Sequence, residues 1–419
     1  MIALAFALPV AASAQTIGAE RIDEVRREAM SHLGPIYVTP RIVLKELGVD
    51  SNVFNAAGDP QSDFTFTVGP KVDIWVPVAR RALFQGTAGS DLVWYANYSS
   101  ERSIDPQFAG RGEIYLRRIT LFAENEYLNS RQRLNYEIDL RARHVESNST
   151  AGLAVKLTPK FSVELAGRLD ETRFDADARF DGVQLQRTLN QTTTGYSVAA
   201  RQRLTPLTTV VVRYEAIDDE FTFAPERDSH SFRVMPGVEF KPRALVKGSA
   251  YVGYRRFTPS QAKVLPEFSG IVAQLGLSYT LMGSTTFGVS YSRDLTYSYE
   301  EARPFFVNSS VGLSVRRALG RRFDVLTSAD RHVYAYRDLL GGNVLGGNVP
   351  GGDLLAVDVV AVALEPRVDT TWNYAGSVGY RIGKGRVGFG VTYWQRDSNA
   401  RTFRNYDNLR FGTTVTYGF

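Results

Sequence analysis

The residues that most often carry catalysis are sparse and scattered in this sequence. The chain of 419 residues has no cysteine, which excludes a disulfide scaffold, a thiolate zinc site and a cysteine nucleophile. Its four histidines form no HExxH motif, and no GxSxG motif occurs. The nearest groupings of a base with a hydroxyl are His144 with Ser147 or Ser149, and Asp228-Ser229-His230. We interpret both as loop residues, so a hydrolase is the least supported of the functional hypotheses.

Arginines and carboxylates show the clearest spacing among the polar residues. Only 8 of the 49 basic residues are lysine, and the other 41 are arginine. Around a water-filled interior, such charges would filter solutes by charge and size. Because arginine predominates, we predict a mild preference for anions; the alternative, that the charges pair across strands and only support a wall, stays open. The predicted interior residues are Arg168, Arg201, Arg203, Arg213, Arg233, Arg255, Arg316, Arg381, Arg396, Arg410, Glu164, Glu215 and Glu239.

The elements that must position these side chains are β-strands. In the last twelve residues, Leu409, Phe411 and Val415 fall on one face, whereas Arg410 and Thr414 fall on the other. Successive side chains of a strand point to opposite faces, so the alternation predicts one apolar and one polar face. The same pattern recurs along the chain, in residues 64–74, 161–168, 209–215, 246–255, 271–280, 372–382 and 387–396.

The polar face of these strands is predicted to line an enclosed aqueous interior. A soluble β-sandwich also alternates, so the period alone does not decide between the two. Three features favour a membrane barrel: a polar face poor in lysine, connections that alternate between short turns and long loops, and a chain that ends on an apolar strand. Backbone groups in lipid must also be paired internally, which closure of the sheet achieves.

The fold class is therefore all-β, a single transmembrane antiparallel up-and-down β-barrel. Short turns recur at intervals of about 40 residues, which fits two strands, one turn and one long loop. Counting from Pro40 predicts about 18 strands, with 16 as the alternative. An even number places both termini on the periplasmic side, and at this size the barrel encloses water rather than a packed core.

The N-terminus is predicted to be a targeting segment. Residues 2–12 are almost wholly apolar, and Ala12-Ser13-Ala14 forms a small-x-small cleavage site. We therefore expect a signal peptide over residues 1–14 and a short periplasmic segment over 15–35. Ile22, Val25, Ala29 and Leu33 have helical spacing there, which predicts an amphipathic helix ended by Gly34-Pro35. The barrel domain is expected over residues 36–419.

Three further segments have alternative interpretations. The glycine-rich stretch 341–352 is predicted to be a flexible outer loop, or alternatively a constriction folded into the interior. Arg-Asp dipeptides recur where strands meet long loops and predict a ring of ion pairs at one rim, or a phosphate site. Asp50, Asn52 and Asn55 could offer oxygens to calcium, but their spacing is not that of a full calcium loop, which favours a turn.

Several segments resemble a known family. Gly48-Val49-Asp50-Ser51-Asn52-Val53-Phe54 follows the first strand, and 135–141, 253–257 and the terminal strand have matching character. With these, residues 35–419 resemble the outer-membrane β-barrel porin family that is associated with exopolysaccharide-export regions. The resemblance implies a passive or export-linked pore and carries no catalytic residues. Val415, Tyr417 and Phe419 resemble the terminal signal read by the outer-membrane assembly machinery.

Together these observations predict a porin-like channel of the cell outer membrane for passive diffusion of small polar solutes. The alternatives are a structural or export-linked barrel in exopolysaccharide traffic and, with less support, a hydrolase. We expect outer-membrane lipid, lipopolysaccharide, the barrel-assembly machinery and small polar solutes as partners, and neither a cofactor nor a metal. The net charge of +5 is small for this length and gives no indication of nucleic-acid binding.

Overall fold

The structure is a computed structural model that describes residues 29–340 and 366–418, except 80 and 243, together with Ile22 and Val25. No helix among these residues is long and apolar enough to cross a membrane. The predicted signal peptide and the glycine-rich stretch 341–352 lie outside the described residues.

Most of the described chain is β-strand, as its alternating pattern predicts. The strands are β1 (Ser31–Leu33), β2 (Ile36–Asp50), β3 (Asp63–Val78), β4 (Ala82–Tyr95), β5 (Ser103–Tyr115), β6 (Ile119–Ser130), β7 (His144–Lys156), β8 (Phe161–Phe174), β9 (Arg179–Phe180), β10 (Val183–Gln184), β11 (Gln191–Arg203), β12 (Thr208–Phe221), β13 (Ser229–Phe240), β14 (Val246–Pro259), β15 (Phe268–Leu281), β16 (Thr285–Tyr297), β17 (Phe305–Leu319), β18 (Phe323–Arg337), β19 (Val368–Ile382), β20 (Gly385–Ser398) and β21 (Tyr406–Tyr417). One short helix, α1 (Leu185–Leu189), follows β10.

Eighteen of the described strands, β2–β8 and β11–β21, form one closed antiparallel barrel. Each pairs with its neighbours in sequence, and β2 closes the sheet by pairing with both β3 and β21. The predicted count of 18 is confirmed. The barrel strands have 12 to 16 residues, more than the about 9–11 that span a bilayer, so their ends project beyond the hydrocarbon.

Short and long connections alternate around the barrel, as predicted. Turns such as 282–284, 320–322 and 383–384 join strands at one end, and loops such as 131–143 and 175–190 join them at the other. Gly283, Gly320 and Gly383 adopt positive φ angles of 67°, 65° and 57°, which glycine tolerates without steric cost. Both the start of β2 and the end of β21 lie at the short-turn end, which we call the periplasmic end.

The apolar face of the strands points outward, and the polar face points into the barrel. Phe389 and Val391 of β20 are 54% and 39% exposed, and Phe411 of β21 is 43% exposed. On the opposite face, Arg396 of β20 and Asn408 of β21 are buried. This is the orientation of a membrane barrel, because a soluble β-protein would bury the phenylalanines.

Two boundaries differ from the sequence prediction. The predicted helix does not reach Leu33, because Ser31–Leu33 forms strand β1 and pairs with the start of β2 around Gly34, whose φ is 59°. The sequence pattern also predicts a long loop over residues 98–111, but the observed connection is much shorter, because β5 already begins at Ser103. In both places the residues pair with a neighbouring strand, which satisfies their backbone hydrogen-bonding groups.

Candidate functional site

A ladder of ion pairs lines the inner wall from β8 to β16. Arg168 Nη1 lies 3.4 Å from Glu215 Oε1, and Arg233 Nη2 lies 2.6 Å from Glu215 Oε2. Arg233 also binds Asp294 at 2.8 Å, and Arg255 Nη1 binds the other oxygen of Asp294 at 2.8 Å. Each carboxylate is shared by two guanidinium groups, so the ladder connects β8, β12, β13, β14 and β16 along the wall.

A second group of inward residues lies closer to the periplasmic end. Arg201 Nη1 binds Glu164 Oε2 at 2.8 Å, and its Nε lies 3.8 Å from Glu239 Oε1. The Tyr251 hydroxyl donates a hydrogen bond to Glu239. The guanidinium of Arg213 lies 5.3 Å from the centre of the Tyr251 ring, a cation–π distance.

The other predicted interior arginines lie near the two ends of the barrel. Arg203 Nη2 donates to the carbonyl of Pro159 at 2.6 Å, and Arg316 is exposed; both lie beside the short turns. Arg381, also at this end, donates from Nε to Asp324 Oδ2 at 3.1 Å. The remaining two, Arg396 and Arg410, lie at the outer end.

Most of the predicted interior charges are therefore paired. The sequence left two interpretations open, a selectivity filter and a set of cross-strand ion pairs that support the wall, and the geometry contains the pairs of the second. Pairing does not remove the charges from a lumen, because an ion pair in contact with water still presents its separate charges to a passing solute. The role of these residues in selectivity stays a prediction.

The loop between β6 and β7, residues 131–143, folds into the barrel; we call it the inner loop. Its Arg133 Nη2 donates to the carbonyl of Val53, in the first outer loop, at 2.7 Å. Near its middle, Ser298 Oγ donates to Glu137 Oε1 at 2.6 Å, from the connection between β16 and β17. Because these partners lie on separate parts of the barrel rim, the inner loop crosses the outer mouth.

The inner loop is held by a buried network of charged side chains. Arg396 of β20 binds Asp139 of the inner loop and donates from Nη2 to Asp369 Oδ2 at 2.9 Å. Asp369 also binds Arg367, and Arg367 binds Glu300 of the β16–β17 connection. All five side chains are less than one-tenth exposed. Charges buried this deeply are tolerated only when they are paired and hydrogen-bonded, as these are.

Apolar contacts with β8 and with the outer loop that follows it also hold the inner loop in place. Ile138 is 1% exposed and packs in a cluster with Phe174, Phe180 and Leu185, which belong to β8 and to the following outer loop. That outer loop contains the β9–β10 hairpin and α1, so a second segment covers the inner one. These contacts bury apolar surface that the loop would otherwise expose to water.

An aromatic group joins the inner loop to the wall of β17 and β18. The ring centres of Tyr136 and His332 are 4.7 Å apart. Tyr136 also packs beside a buried cluster of Phe306, Tyr334 and Tyr336 on the inward face. The inner loop is thus anchored at its middle as well as through its charges.

The outer part of the β16–β17 hairpin leans into the lumen. The β15–β16 ladder ends at Ala273–Arg293, although β15 continues to pair with β14 as far as Phe268. Phe305 and the next two residues of β17 are all buried, so both faces of this strand are covered. Phe305 packs edge-on against Phe257 of β14, with ring centres 5.1 Å apart. The outer end of the hairpin is therefore packed against the side chains of β14.

Two residues of the N-terminal segment occupy the periplasmic end. Ile22 and Val25 are helical and are 0% and 9% exposed. They pack in a cluster with Leu83, Tyr37 and Trp75, which lie on the inward face of the first strands. Ile22 and Val25 of the predicted apolar stripe therefore face the barrel interior, whereas Leu33 is 78% exposed.

The Asp50-x-Asn52 segment closes the barrel seam. Asp50 Oδ2 lies 2.7 Å from Arg410 Nη2 of β21, and Asp50 Oδ1 accepts from the backbone of Asn52 at 3.0 Å. The Asn52 side chain donates to the carbonyls of Ala56 and Asp407 at 2.9 and 3.0 Å. These oxygens and nitrogens serve the turn and the seam, which is the interpretation that the sequence favoured over calcium.

The candidate catalytic groupings do not assemble into a nucleophile and base. His144 contacts the Ala142 carbonyl at 2.9 Å and Glu146 at 3.1 Å, not Ser147 or Ser149. The hydroxyl of Ser229 binds Tyr297 at 2.6 Å, whereas exposed His230 binds Asp218 at 2.6 Å. Strand alternation places Ser229 and His230 on opposite faces of β13.

The inner loop is not predicted from the sequence. The glycine-rich stretch 341–352 is the predicted candidate for a constriction, and it lies outside the described residues. Residues 135–141 were noted only for their resemblance to a family. In this segment Glu137, Asp139 and Arg141 alternate with apolar residues, as in a barrel strand. The segment is nevertheless not paired into the barrel, and this mismatch is the sequence feature that could have indicated an inner loop.

A closed 18-stranded barrel that is apolar outside and charged inside defines a porin-type protein of the outer membrane. Over residues 31–341 the chain matches the family described as "Putative beta-barrel porin 2", and it belongs to this family. No curated protein matches the chain significantly.

Solved outer-membrane structures are similar in fold. Pseudomonas aeruginosa OccK3 (OpdO) has a TM-score of 0.45 and 10% identity, over 94% of this chain and 98% of that chain. P. aeruginosa OccK2 (OpdF), determined in complex with glucuronate, has a TM-score of 0.46 and 9% identity, over 91% and 97%. The FrpB iron transporter from Neisseria meningitidis has 0.43 and 10%, over 90% and 64%. These similarities concern the fold alone.

Proposed function

We propose that this outer-membrane barrel is a channel for passive diffusion of small polar solutes, with a mild preference for anions and no enzymatic activity. The observation that carries the proposal is the closed barrel of 18 strands with an inward polar face. Barrels of 16 to 18 strands are wide enough to leave an aqueous channel. Solutes would be filtered by the width left beside the inner loop and by the charges of the wall.

A small excess of positive charge on the inward face supports the anion preference. Near the periplasmic end, Arg381 and Arg386 share the single carboxylate of Asp324. Among the described residues, Arg213 and Lys247 have no carboxylate within ion-pair distance, and both lie at inward register positions.

Two inward carboxylates oppose this excess. Asp330 of β18 and Glu126 of β6 also have no cationic partner within ion-pair distance among the described residues. The remaining imbalance is small, which is why the proposed preference is mild.

Reversal potentials across planar bilayers under a potassium chloride gradient test this proposal. The chloride permeability should exceed that of potassium by a small factor, and Arg213→Gln with Lys247→Gln should remove the difference. Arg331→Gln is the matched control, because Arg331 lies on the outward face over Trp372. Strong cation selectivity of the unaltered protein would contradict the anion preference.

A second candidate is a barrel that is closed at rest and linked to export of an envelope polysaccharide. The observation that favours it is that covered segments lie at both ends: the inner loop at the outer mouth, and Ile22 and Val25 at the periplasmic mouth. A purified protein that inserts into bilayers but carries no stable ion current would support this candidate over the first. Release of lipid or peptide products that depends on His144 or His230 would instead indicate a hydrolase.

The terminal strand and the N-terminus contribute further proposals. Tyr417 is 52% exposed on the outward face of β21 beside Val415, as expected of a segment that meets lipid, lipopolysaccharide and the assembly machinery. Phe419 lies outside the described residues. Replacement of Tyr417 by Asp should reduce insertion of newly made barrel, measured as heat-modifiable protein in outer-membrane fractions. Mass spectrometry of the mature N-terminus tests cleavage after residue 14.

A further inference from the structure

One part of the lumen wall differs from the arginine-bearing part. A cavity of about 380 Å³ lies against β14–β18. Most of the residues that line it are inward-facing and small, and two are charged: Gly276, Ser278, Gly288, Ser290, Gly312, Ser314, Ser328, Lys247 and Asp330. We call these residues the hydroxyl wall. No arginine lines the cavity, although arginine is the commonest charged residue of the chain.

The glycines of the hydroxyl wall leave the space open. A β-carbon at Gly276 would meet no atom within 4 Å. At Gly312 it would meet Asp330 Oδ1 and Ser290 Oγ, so these two polar groups lie directly over the glycine. The cavity therefore has hydroxyl and carboxylate groups at its surface and exposed backbone between them.

Buried polar atoms beside the cavity have unused hydrogen-bonding capacity. Asn373 of β19 is directly opposite Asp330 in the strand register, on the same inward face. Its side chain is 4% exposed, yet its Oδ1 has no hydrogen-bond partner among the described residues. The same is true of Thr371 Oγ1, one inward position further along β19, which is 2% exposed. Buried polar atoms without a partner are rare and call for an explanation.

We propose that the hydroxyl wall is a binding site for an uncharged polyhydroxylated solute such as a monosaccharide. A sugar hydroxyl both donates and accepts, so the serine hydroxyls and the carboxylate of the wall can each satisfy it, as can the amide oxygen of Asn373 beside the wall. The wall offers these groups on adjacent strands, and Gly276 admits the ring close to the backbone. The volume equals that of roughly a dozen liquid waters, which is room for one sugar ring. This inference rests on the proposed diffusion function and names the class of solute.

Direct binding and ion conductance, measured separately, test the inference. Saturation-transfer NMR on the full chain in detergent should show binding of glucose in the millimolar range. Tetraethylene glycol, a polar solute of similar size without vicinal hydroxyls, should show none. Gly276→Trp places a ring in the open cavity and should weaken sugar binding by at least about tenfold, because the ligand and the ring cannot share the space.

A matched substitution separates filling of the cavity from damage to the barrel. Gly376 of β19 lies between exposed Tyr374 and Val378 on the lipid face, and a β-carbon there also meets nothing within 4 Å. Gly376→Trp should bind sugar as the unaltered protein does. Ser290→Ala, which keeps the cavity open, should weaken binding with less effect than Gly276→Trp. Heat-modifiable migration identifies any variant that fails to fold.

The outcomes distinguish this inference from the diffusion function. Ion conductance without sugar binding, or sugar binding that is equal in Gly276→Trp and Gly376→Trp, would overturn the hydroxyl wall as a site and leave the channel intact. Saturable sugar binding that Gly276→Trp removes, in a protein without ion current, would keep the site and overturn passive diffusion.

Discussion

Arg396 of β20 binds Asp139 of the inner loop, and 257 residues of sequence separate them. The guanidinium of Arg396 is 2% exposed and also binds Asp369 of the neighbouring strand. The loop is therefore attached to the far wall by a charge that is itself buried in the wall. Removal of one partner leaves a buried charge without full compensation, so the position of the inner loop should depend strongly on this ion pair.

Asp139→Ala should release the inner loop. Loss of a partner from a buried ion pair costs about 3–5 kcal/mol. We expect this cost to exceed the stabilisation that the remaining apolar contacts give to the docked loop. Limited trypsin digestion of the protein in detergent should then cleave after Arg131, Arg133 or Arg141, which the docked loop protects. Arg173→Ala is the control, because Arg173 is exposed and its pair with Glu171 is worth below about 1 kcal/mol. Equal protection in both variants would contradict the locking role.

Docking of the inner loop should weaken as the pH rises. Burial raises the pKa of Glu137 to about 7, against the opposing effects of the Ser298 hydrogen bond and of Arg367, while Glu300 adds to the rise and Tyr336 lowers it. The docked loop binds the proton more tightly than the free loop, whose glutamate has an ordinary pKa near 4.5. The stabilisation is complete below pH 4.5 and is lost as the pH rises through about 7.

Bilayer current recorded between pH 5 and pH 8.5 measures this effect. Current should be larger or fluctuate more on the alkaline side, and Glu137→Gln should make the recordings independent of pH over this range, because the amide remains neutral. Glu226→Gln, in an outer connection, serves as the control. A pH dependence that survives in Glu137→Gln would assign the effect to another group.

The barrel itself could be predicted because strand faces are determined locally. Arg213 and Arg233 lie on the inward face for the same reason that Tyr214 lies outward, namely the two-residue period of the backbone. Loop direction is not encoded in this way. Nothing in residues 135–141 indicates that Asp139 meets Arg396, since that contact depends on how the closed sheet brings distant strands together.

A bulge in β2 shows where the period fails. Tyr37 and Thr39 face inward at odd positions, so strict alternation would place Asp50 on the lipid face. The register of the β2–β21 pairing shifts between Leu44 and Leu47, and Glu46 has a φ of 57°. One extra residue at a bulge reverses the faces beyond it. Asp50 is thereby brought inward to Arg410.

Asp50→Asn should weaken closure of the barrel. Asparagine keeps the shape and can still accept from the Asn52 backbone, but it removes the nearer carboxylate of the Arg410 guanidinium at the β2–β21 seam and leaves only Glu46, at 3.9 Å. The cost is about 3–5 kcal/mol for a buried pair, so the temperature at which the folded band converts to the unfolded band on a gel should fall. Asp59→Asn, an exposed position in the adjacent loop, should leave that temperature unchanged. A seam that melts normally in Asp50→Asn would show that backbone pairing alone closes the barrel.

The two ends of the lumen lie one after the other on the path of an ion, so their electrical resistances should add. This predicts how substitutions at the two ends combine. Ile22 is fully buried against Leu83 at the periplasmic end, and Ile22→Asp would place a charge in that apolar contact and displace it. In a series arrangement the narrower end limits the current, so Ile22→Asp and Asp139→Ala should each raise conductance slightly and together raise it by more than the sum. Leu33→Asp, at a position 78% exposed, controls for added charge. Strictly additive conductances would instead indicate two parallel routes through the barrel and contradict a series arrangement of two narrow ends.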